Sequence, residues 1–269
     1  MNRTLFALMP LLLGATMASA ADTQALRIYS AGSLRVPLTE ISNAYTAAYG
    51  TPVELVFGAS GILRRRLADG EAADLFTSAD RGNPEALTSA GKAGPTVSFA
   101  RNHLCAIVRP GLKATSAKIQ AMLLSPSIRI GTSNPQDDPG GAYAWAMFQR
   151  ADVVQPGSRS KLAAKAIKIG NGAGMLAVPA GTPNAVAWLL AEKQIDVFLS
   201  YCTNGHQAEA ALSGITTVEL PPALAVTANY GLTMLNDARP EAARLALFIL
   251  SPAGQQILMR SGFDAPLLP

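Results

Sequence analysis

Two serines, Ser33 and Ser60, occupy equivalent places early in the sequence. Each stands in a small-residue turn, Ser30-Ala31-Gly32-Ser33 or Gly58-Ala59-Ser60-Gly61, between a β-prone run and an amphipathic stretch. That order puts each hydroxyl at a strand's carboxyl end, where it can cap the next helix, and in open α/β sheets ligands bind at such ends. The first amides of a helix have no intrahelical partner and carry the positive end of its dipole. Two such termini with hydroxyls beside them suit an oxyanion. Plain helix capping is the alternative for either turn alone, because serine is a favoured N-cap.

Two later loops can complete such a site. Asn134-Pro135-Gln136-Asp137-Asp138-Pro139-Gly140-Gly141 precedes a helix with Tyr143 and Trp145, and Gly181-Thr182-Pro183-Asn184 opens another. Glycine lets backbone amides approach a ligand closely, and ordinary turn chemistry is the alternative reading. Enzyme signatures are missing. Gly58–Gly61 lacks the spacing of a nucleophile elbow, and no serine has a placeable histidine and acid. His103 and His206 give no readable metal cluster, and Gly170-Asn171-Gly172-Ala173-Gly174 lacks the strand and downstream acid of a dinucleotide loop. The runs Arg64-Arg65-Arg66 and Arg159/Lys161/Lys165/Lys168 read as solvated helix faces.

The elements that must position these residues alternate. Strands are expected at Leu26–Tyr29, Val53–Phe57, Asp74–Thr77, Leu104–Val108, Ile128–Ile130, Ile195–Tyr201, Val218–Leu220 and Leu232–Leu235. Helices are expected between them, including Ile62–Ala68, Glu85–Ala90, Ala117–Leu124, Ala142–Arg150, Ser160–Ile167, Ala185–Glu192 and Pro240–Leu250. Strands alternating with helices predict βαβ units and a mainly parallel sheet. No linker divides the chain, which suits two domains whose chain crosses between them more than once.

Arg3, the apolar run Leu5–Leu13 and Ala18-Ser19-Ala20 have the pattern of a secretory signal cleaved after Ala20. Removing those twenty residues, with one arginine among them, leaves 249 of 269 and lowers the formal charge from +4 to +3. The mean hydropathy of +0.22 does not require a membrane span, since no later apolar run reaches about 18 residues. An exported protein without membrane insertion, with the bacterial periplasm as its destination, is expected. The sequence pI of about 9.2 does not predict nucleic-acid binding, because charged residues are only 15% of the chain and are scattered. Cys105 and Cys202 have no metal-ligand spacing. In an oxidising compartment such a pair reads as a bridge, with two buried small hydrophobes as the alternative.

The residues also resemble a known family, the periplasmic molybdate-binding proteins of ABC importers, within the type II solute-binding superfamily. The resemblance rests on Tyr29-Ser30-Ala31-Gly32-Ser33-Leu34, Phe57-Gly58-Ala59-Ser60-Gly61-Ile62-Leu63 and Ala73–Asp80, with weaker echoes at Asn102-His103-Leu104, Asp138–Gly141, Phe198–Tyr201, Ser251–Gln256 and Ser261–Phe263. It implies a two-lobed α/β periplasmic-binding-protein-like fold, each lobe a mainly parallel sheet flanked by helices, joined by crossover hinge strands. The expected lobes are residues 21–101 plus 229–269, and 102–228. Residue by residue, the resemblance implies that Ser33, Ser60 and Tyr201 donate hydroxyls to the ligand, Gly140 a backbone amide, and Asn184 lies near another amide position. Asp138 has two readings, a turn or N-cap residue and a carboxylate ligand. The implied ligand is molybdate or tungstate, with no cofactor and no metal bound as a free cation. The implied partners are a membrane permease and its ATPase, with the receptor itself a monomer. Cys202-Thr203-Asn204 departs from the small turn residues of the family pattern, which leaves open another small anion, a metal complex, or an exported enzyme on the same scaffold.

Overall fold

The apolar run Leu26–Ala31 forms strand β1, whose residues are almost all buried, as befits a strand covered on both faces. Helix α1 (Arg35–Tyr49) then packs Leu38, Ile41 and Tyr45 inward at helical spacing and ends at Gly50, in the left-handed region with φ 71°. Strand β2 (Val53–Gly58), helix α2 (Ser60–Ala68), strand β3 (Leu75–Ser78) and helix α3 (Gly82–Ser89) repeat the unit, with β1 paired parallel to both β2 and β3. The computed structural model describes residues 24–266; the export signal expected at 1–20 lies outside them.

Strand β4 (Val97–Val108) is longer than the expected Leu104–Val108 because it serves both lobes. The second lobe contains α4 (Ile119–Leu124), β5 (Ile130–Ser133), α5 (Pro139–Val154), α6 (Ser158–Lys165), β6 (Ala166–Ile169), α7 (Ala185–Ala191), β7 (Val197–Tyr201), α8 (Cys202–Ala211) and β8 (Thr216–Glu219). Strand β9 (Thr227–Met234) and helices α9 (Glu241–Leu250) and α10 (Pro252–Arg260) return to the first. Strand order is β2-β1-β3-β9-β4-β7-β5-β6, with β8 also on β4. Residues Val97–His103 of β4 pair with β9, and Leu104–Val108 with β7.

The sheet is mixed. The outer strands of each lobe run parallel, and the crossover strands β4 and β9 pair antiparallel. A strand that leaves one lobe beside another that returns must run opposite to it. Two hydrophobic clusters sit on either side of this crossover, one around Leu26, Leu38, Tyr45 and Leu245, the other around Val108, Ile130, Phe148 and Leu199. Asp74 binds the returning segment to the first lobe, accepting from the Arg239 amide at 2.9 Å and from its guanidinium. Cys105 in β4 is bridged to Cys202 at the start of α8, with Cα atoms 4.9 Å apart.

Two sequence expectations change. The segment Ser160–Ile167 is not one helix: α6 ends at Lys165 and β6 follows, pairing parallel to β5. Lys165 is not solvated, since its Nζ donates to the carbonyls of Leu123 at 2.9 Å and Ser125 at 2.5 Å. The arginine run stays a solvated face, with the Arg65 and Arg66 side chains 47% and 41% exposed and paired with Asp137 and Glu71, while Arg64 donates to Asn83.

Candidate functional site

A cavity of about 530 Å³ opens between the lobes. The β1–α1 connection contributes Ser33 and Arg35, and the β2–α2 connection Ser60. From the other side come Asp138, Asn184 and Tyr201. Of the six residues singled out in the sequence, all but Gly140 line this space.

Neither serine acts as a helix cap. Ser33 lies inside a short 3-10 turn, Gly32–Leu34, and Ser60 is the first residue of α2 after Ala59; neither helix start has a side-chain cap. Both hydroxyls are therefore free of the role that competed with ligand binding. Ser60 Oγ accepts from the Ala79 amide at 3.2 Å, which leaves its proton to donate. Ser33 Oγ lies 2.9 Å from the Tyr230 hydroxyl, which in turn lies 3.5 Å from Asn102 Nδ2. Tyr230 Oη can donate to Ser33 Oγ, an arrangement that frees the Ser33 proton for another acceptor. Tyr230 and Asn102 were not expected in the site; the alternation of buried Ala228, Tyr230 and Leu232 along β9 was the available signal.

Tyr201 ends β7 at 4% exposure, and among the described residues its hydroxyl has no hydrogen-bond partner. Burial holds its pKa well above the ordinary phenol value, so it is a neutral donor. An unpaired buried hydroxyl costs about 1–3 kcal/mol, and a ligand oxygen would remove that cost. Asp138 is the N-cap of α5, accepting from Gly140 N at 2.8 Å. That bond occupies the Gly140 amide. Burial raises the Asp138 pKa, and the Gly140 amide opposes it. Asn184 caps α7 through Oδ1, which accepts from Ala187 N at 2.9 Å.

The lobes touch along one edge of the cavity. Gly61 N donates to Asp137 O at 2.8 Å, Arg65 Nη2 reaches Asp137 Oδ1 at 2.5 Å, and Tyr143 Oη donates to Ala79 O at 3.3 Å. A Cβ on Gly61 would lie 2.7 Å from Asp137 O, so only glycine permits this approach. Arg35 supplies positive charge at the cavity, its guanidinium 4.3 Å from the Phe57 ring centroid. Neither Arg35 nor Asp137 had a signal in local sequence, because both roles depend on how the lobes meet. Among the described residues no group of three or more histidine, cysteine or acidic side chains is placed to hold a metal ion, and no single helix is long and apolar enough to cross a membrane.

Residues 26–264 match the family described as bacterial extracellular solute-binding protein. An uncharacterized protein of Pasteurella multocida, PM1146, is 35% identical over 240 residues, covering 88% of this chain and 98% of that protein. The molybdate-binding protein ModA of Mycobacterium tuberculosis is 26% identical over 257 residues, covering 92% and 88%. Among solved structures, the sulfate-binding protein SubI of M. tuberculosis superposes with a TM-score of 0.73 at 17% identity, covering 90% of this chain and 86% of that one. That likeness establishes the shared two-lobed fold.

Proposed function

The chain belongs to the bacterial extracellular solute-binding proteins, and from that premise we propose that it captures an oxyanion in the cleft and delivers it to an ABC permease. It is a solute-binding protein of the ABC-importer type that binds a small polar or anionic ligand between two lobes. The observation that carries the oxyanion reading is Tyr201, which lines the same cavity as Ser33 and Ser60 and whose buried hydroxyl has no hydrogen-bond partner among the described residues. In this reading residues 21–101 with 229–269 form one lobe and 102–228 the other, and the three hydroxyls are the ligand's direct donors. Gly140 acts through Asp138, and Asn184 through the start of α7.

Hydrogen bonds to a charged partner contribute about 1.5–3 kcal/mol each, so a few converging donors support tight binding once ordering is subtracted. Neutral donors suit a dianion because they add no competing charge. Molybdate or tungstate is the first candidate, supported by the sequence resemblance and by the relative named for molybdate. Closure about the crossover strands would present the loaded form to the permease and its ATPase. Export to the periplasm as a monomer completes the proposal. Calorimetry on ligand-free mature protein with molybdate, tungstate, sulfate, phosphate and chromate tests it: saturable heat with at least one supports the reading, and heat with none overturns it.

The cavity volume favours a second reading of the ligand. Organic small-molecule sites run to roughly 300–1,000 Å³, and 530 Å³ lies well inside that range. Another small anion, larger than molybdate, also fits the same donors.

A further inference from the structure

We propose that the cleft is a two-chamber site whose ligand is a small organic phosphate or phosphonate, with its oxyanion head in the first chamber and its carbon-bearing body in a second. This deepens the oxyanion reading and rests on it for the first chamber. The second chamber, of about 420 Å³, adjoins the first and shares Ala59, Ser133, Asp138, Val186 and Asn204 with it.

The two walls differ in chemistry. The first chamber is lined by the hydroxyl-bearing Ser33, Ser60 and Tyr201 and by Arg35. The second presents Ile62, Ile169, Met175, Leu189 and Phe198, with the amide side chain of Asn171. Apolar wall rewards burial of carbon and penalises a bare anion. Asp137 lines the second chamber and not the first, whereas Arg35 lines the first and not the second, so the charged side chains also favour a negative head at the first. Charge and polarity together therefore orient one molecule, head toward Ser33 and Ser60, body toward Ile62 and Met175.

Lobe closure does not remove this second space. Gly61 and Asp137 are already at hydrogen-bond distance and Tyr143 already reaches Ala79, so the edge beside the second chamber has no further travel. Ile62 follows Gly61 and Asp137 lines the chamber itself, which places the space directly behind that contact. An inorganic oxyanion would use the first chamber and leave the second without a role.

The test is calorimetric titration of the mature chain with inorganic phosphate and molybdate, and with glycerol 3-phosphate, glucose 6-phosphate and phosphonoacetate. At least one organic anion is expected to bind about tenfold or more tightly than both inorganic anions, a factor equivalent to about 1.4 kcal/mol. Ile62→Trp fills the second chamber from a side chain that is 43% exposed, and Asn171→Trp does so from an exposed loop position. Each is expected to abolish the organic preference and leave affinity for inorganic phosphate unchanged. Inorganic anions binding as tightly as every organic probe, or both variants weakening all anions equally, would overturn the two-chamber site while leaving the oxyanion reading intact. Heat with no anion of either kind would remove the oxyanion reading itself.

Discussion

The Ser33 hydroxyl sits 2.9 Å from that of Tyr230, 197 residues later in the chain. Strand β9 brings Tyr230 back beside the first lobe's opening turn, and Asn102 on the crossover strand β4 lies within 3.5 Å of it. A hydroxyl that receives one hydrogen bond keeps its own proton for another acceptor. Tyr230 therefore positions Ser33 without lining the cavity itself. Tyr230→Phe is expected to weaken oxyanion binding by about 1 kcal/mol, the value of one neutral hydrogen bond. Ser33→Ala should cost more, about 1.5–3 kcal/mol, because it removes a donor to charge. Calorimetry on both variants checks the order, with thermal melts confirming an intact fold.

Ser60 offers a cleaner single deletion. Its oxygen accepts from the Ala79 amide at 3.2 Å and it is 1% exposed. Ser60→Ala is expected to reduce affinity by about 1–3 kcal/mol, with part of the loss arising from the Ala79 amide left unpaired. Unchanged affinity would remove Ser60 from the site, and Ser60→Thr separates loss of the hydroxyl from change of shape.

Most elements were readable from hydrophobic period, because each lobe is built from local strand and helix units. Where tertiary demands override local pattern, the reading fell short. Strand β6 (Ala166–Ile169) carries Lys168, which with Lys161 and Lys165 of α6 continues a helical spacing, yet pairing with β5 decides its form. Helix α8 (Cys202–Ala211) is small and polar along much of its length, with only Thr203, Gly205 and Ala208 buried, so it carries no apolar stripe. The early half of β4 reads as loop because Arg101 and Asn102 belong to a crossover rather than to a lobe's core. The serines were singled out by their place at strand ends, and Tyr201 by the family resemblance. Tyr230, Arg35 and Asp137 act through contacts between distant segments, which local spacing does not encode.

The lobe contact makes a sharp steric prediction. Arg65 and Asp137 form an ion pair with side chains 47% and 28% exposed, and pairs at the surface contribute only about 0–1 kcal/mol. Arg65→Ala should therefore change affinity little. Gly61→Ala places a carbon 2.7 Å from the Asp137 carbonyl, and such overpacking costs about 1–3 kcal/mol. Relieving it means separating the lobes, so the variant is expected to show a larger radius of gyration by small-angle scattering in saturating ligand, and weaker binding.

Asp138 is expected to couple anion binding to pH. Burial raises its pKa, so folding favours the neutral carboxyl. That contribution to stability is full below the unfolded carboxyl pKa and is lost as pH rises through the raised value. An incoming anion pushes the same pKa further up, so binding takes up protons in this window and wild-type affinity falls as pH rises. Asp138→Asn keeps an oxygen for the Gly140 amide and removes the charge. The affinity ratio of variant to wild type is expected to grow with pH, and taking the ratio cancels the ligand's own titration. Calorimetry in buffers of different ionisation enthalpy would show the proton uptake, and a ratio independent of pH would exclude coupling through Asp138.

The bridge between Cys105 and Cys202 ties the crossover strand to the residue following Tyr201. It closes a loop with a sequence separation of 97, and removing a native bridge costs about 2–5 kcal/mol of stability. Tyr201 is flanked by this covalent link and by ring contacts to Tyr143 and Tyr230 at 6.2 and 5.7 Å. The bridge is therefore expected to hold the Tyr201 hydroxyl in place as well as to stabilise the second lobe. Cys105→Ala/Cys202→Ala is expected to lower the melting temperature and to weaken anion binding at temperatures where the variant remains fully folded. If affinity there equals that of the wild type, packing alone orients Tyr201 and the bridge serves stability only.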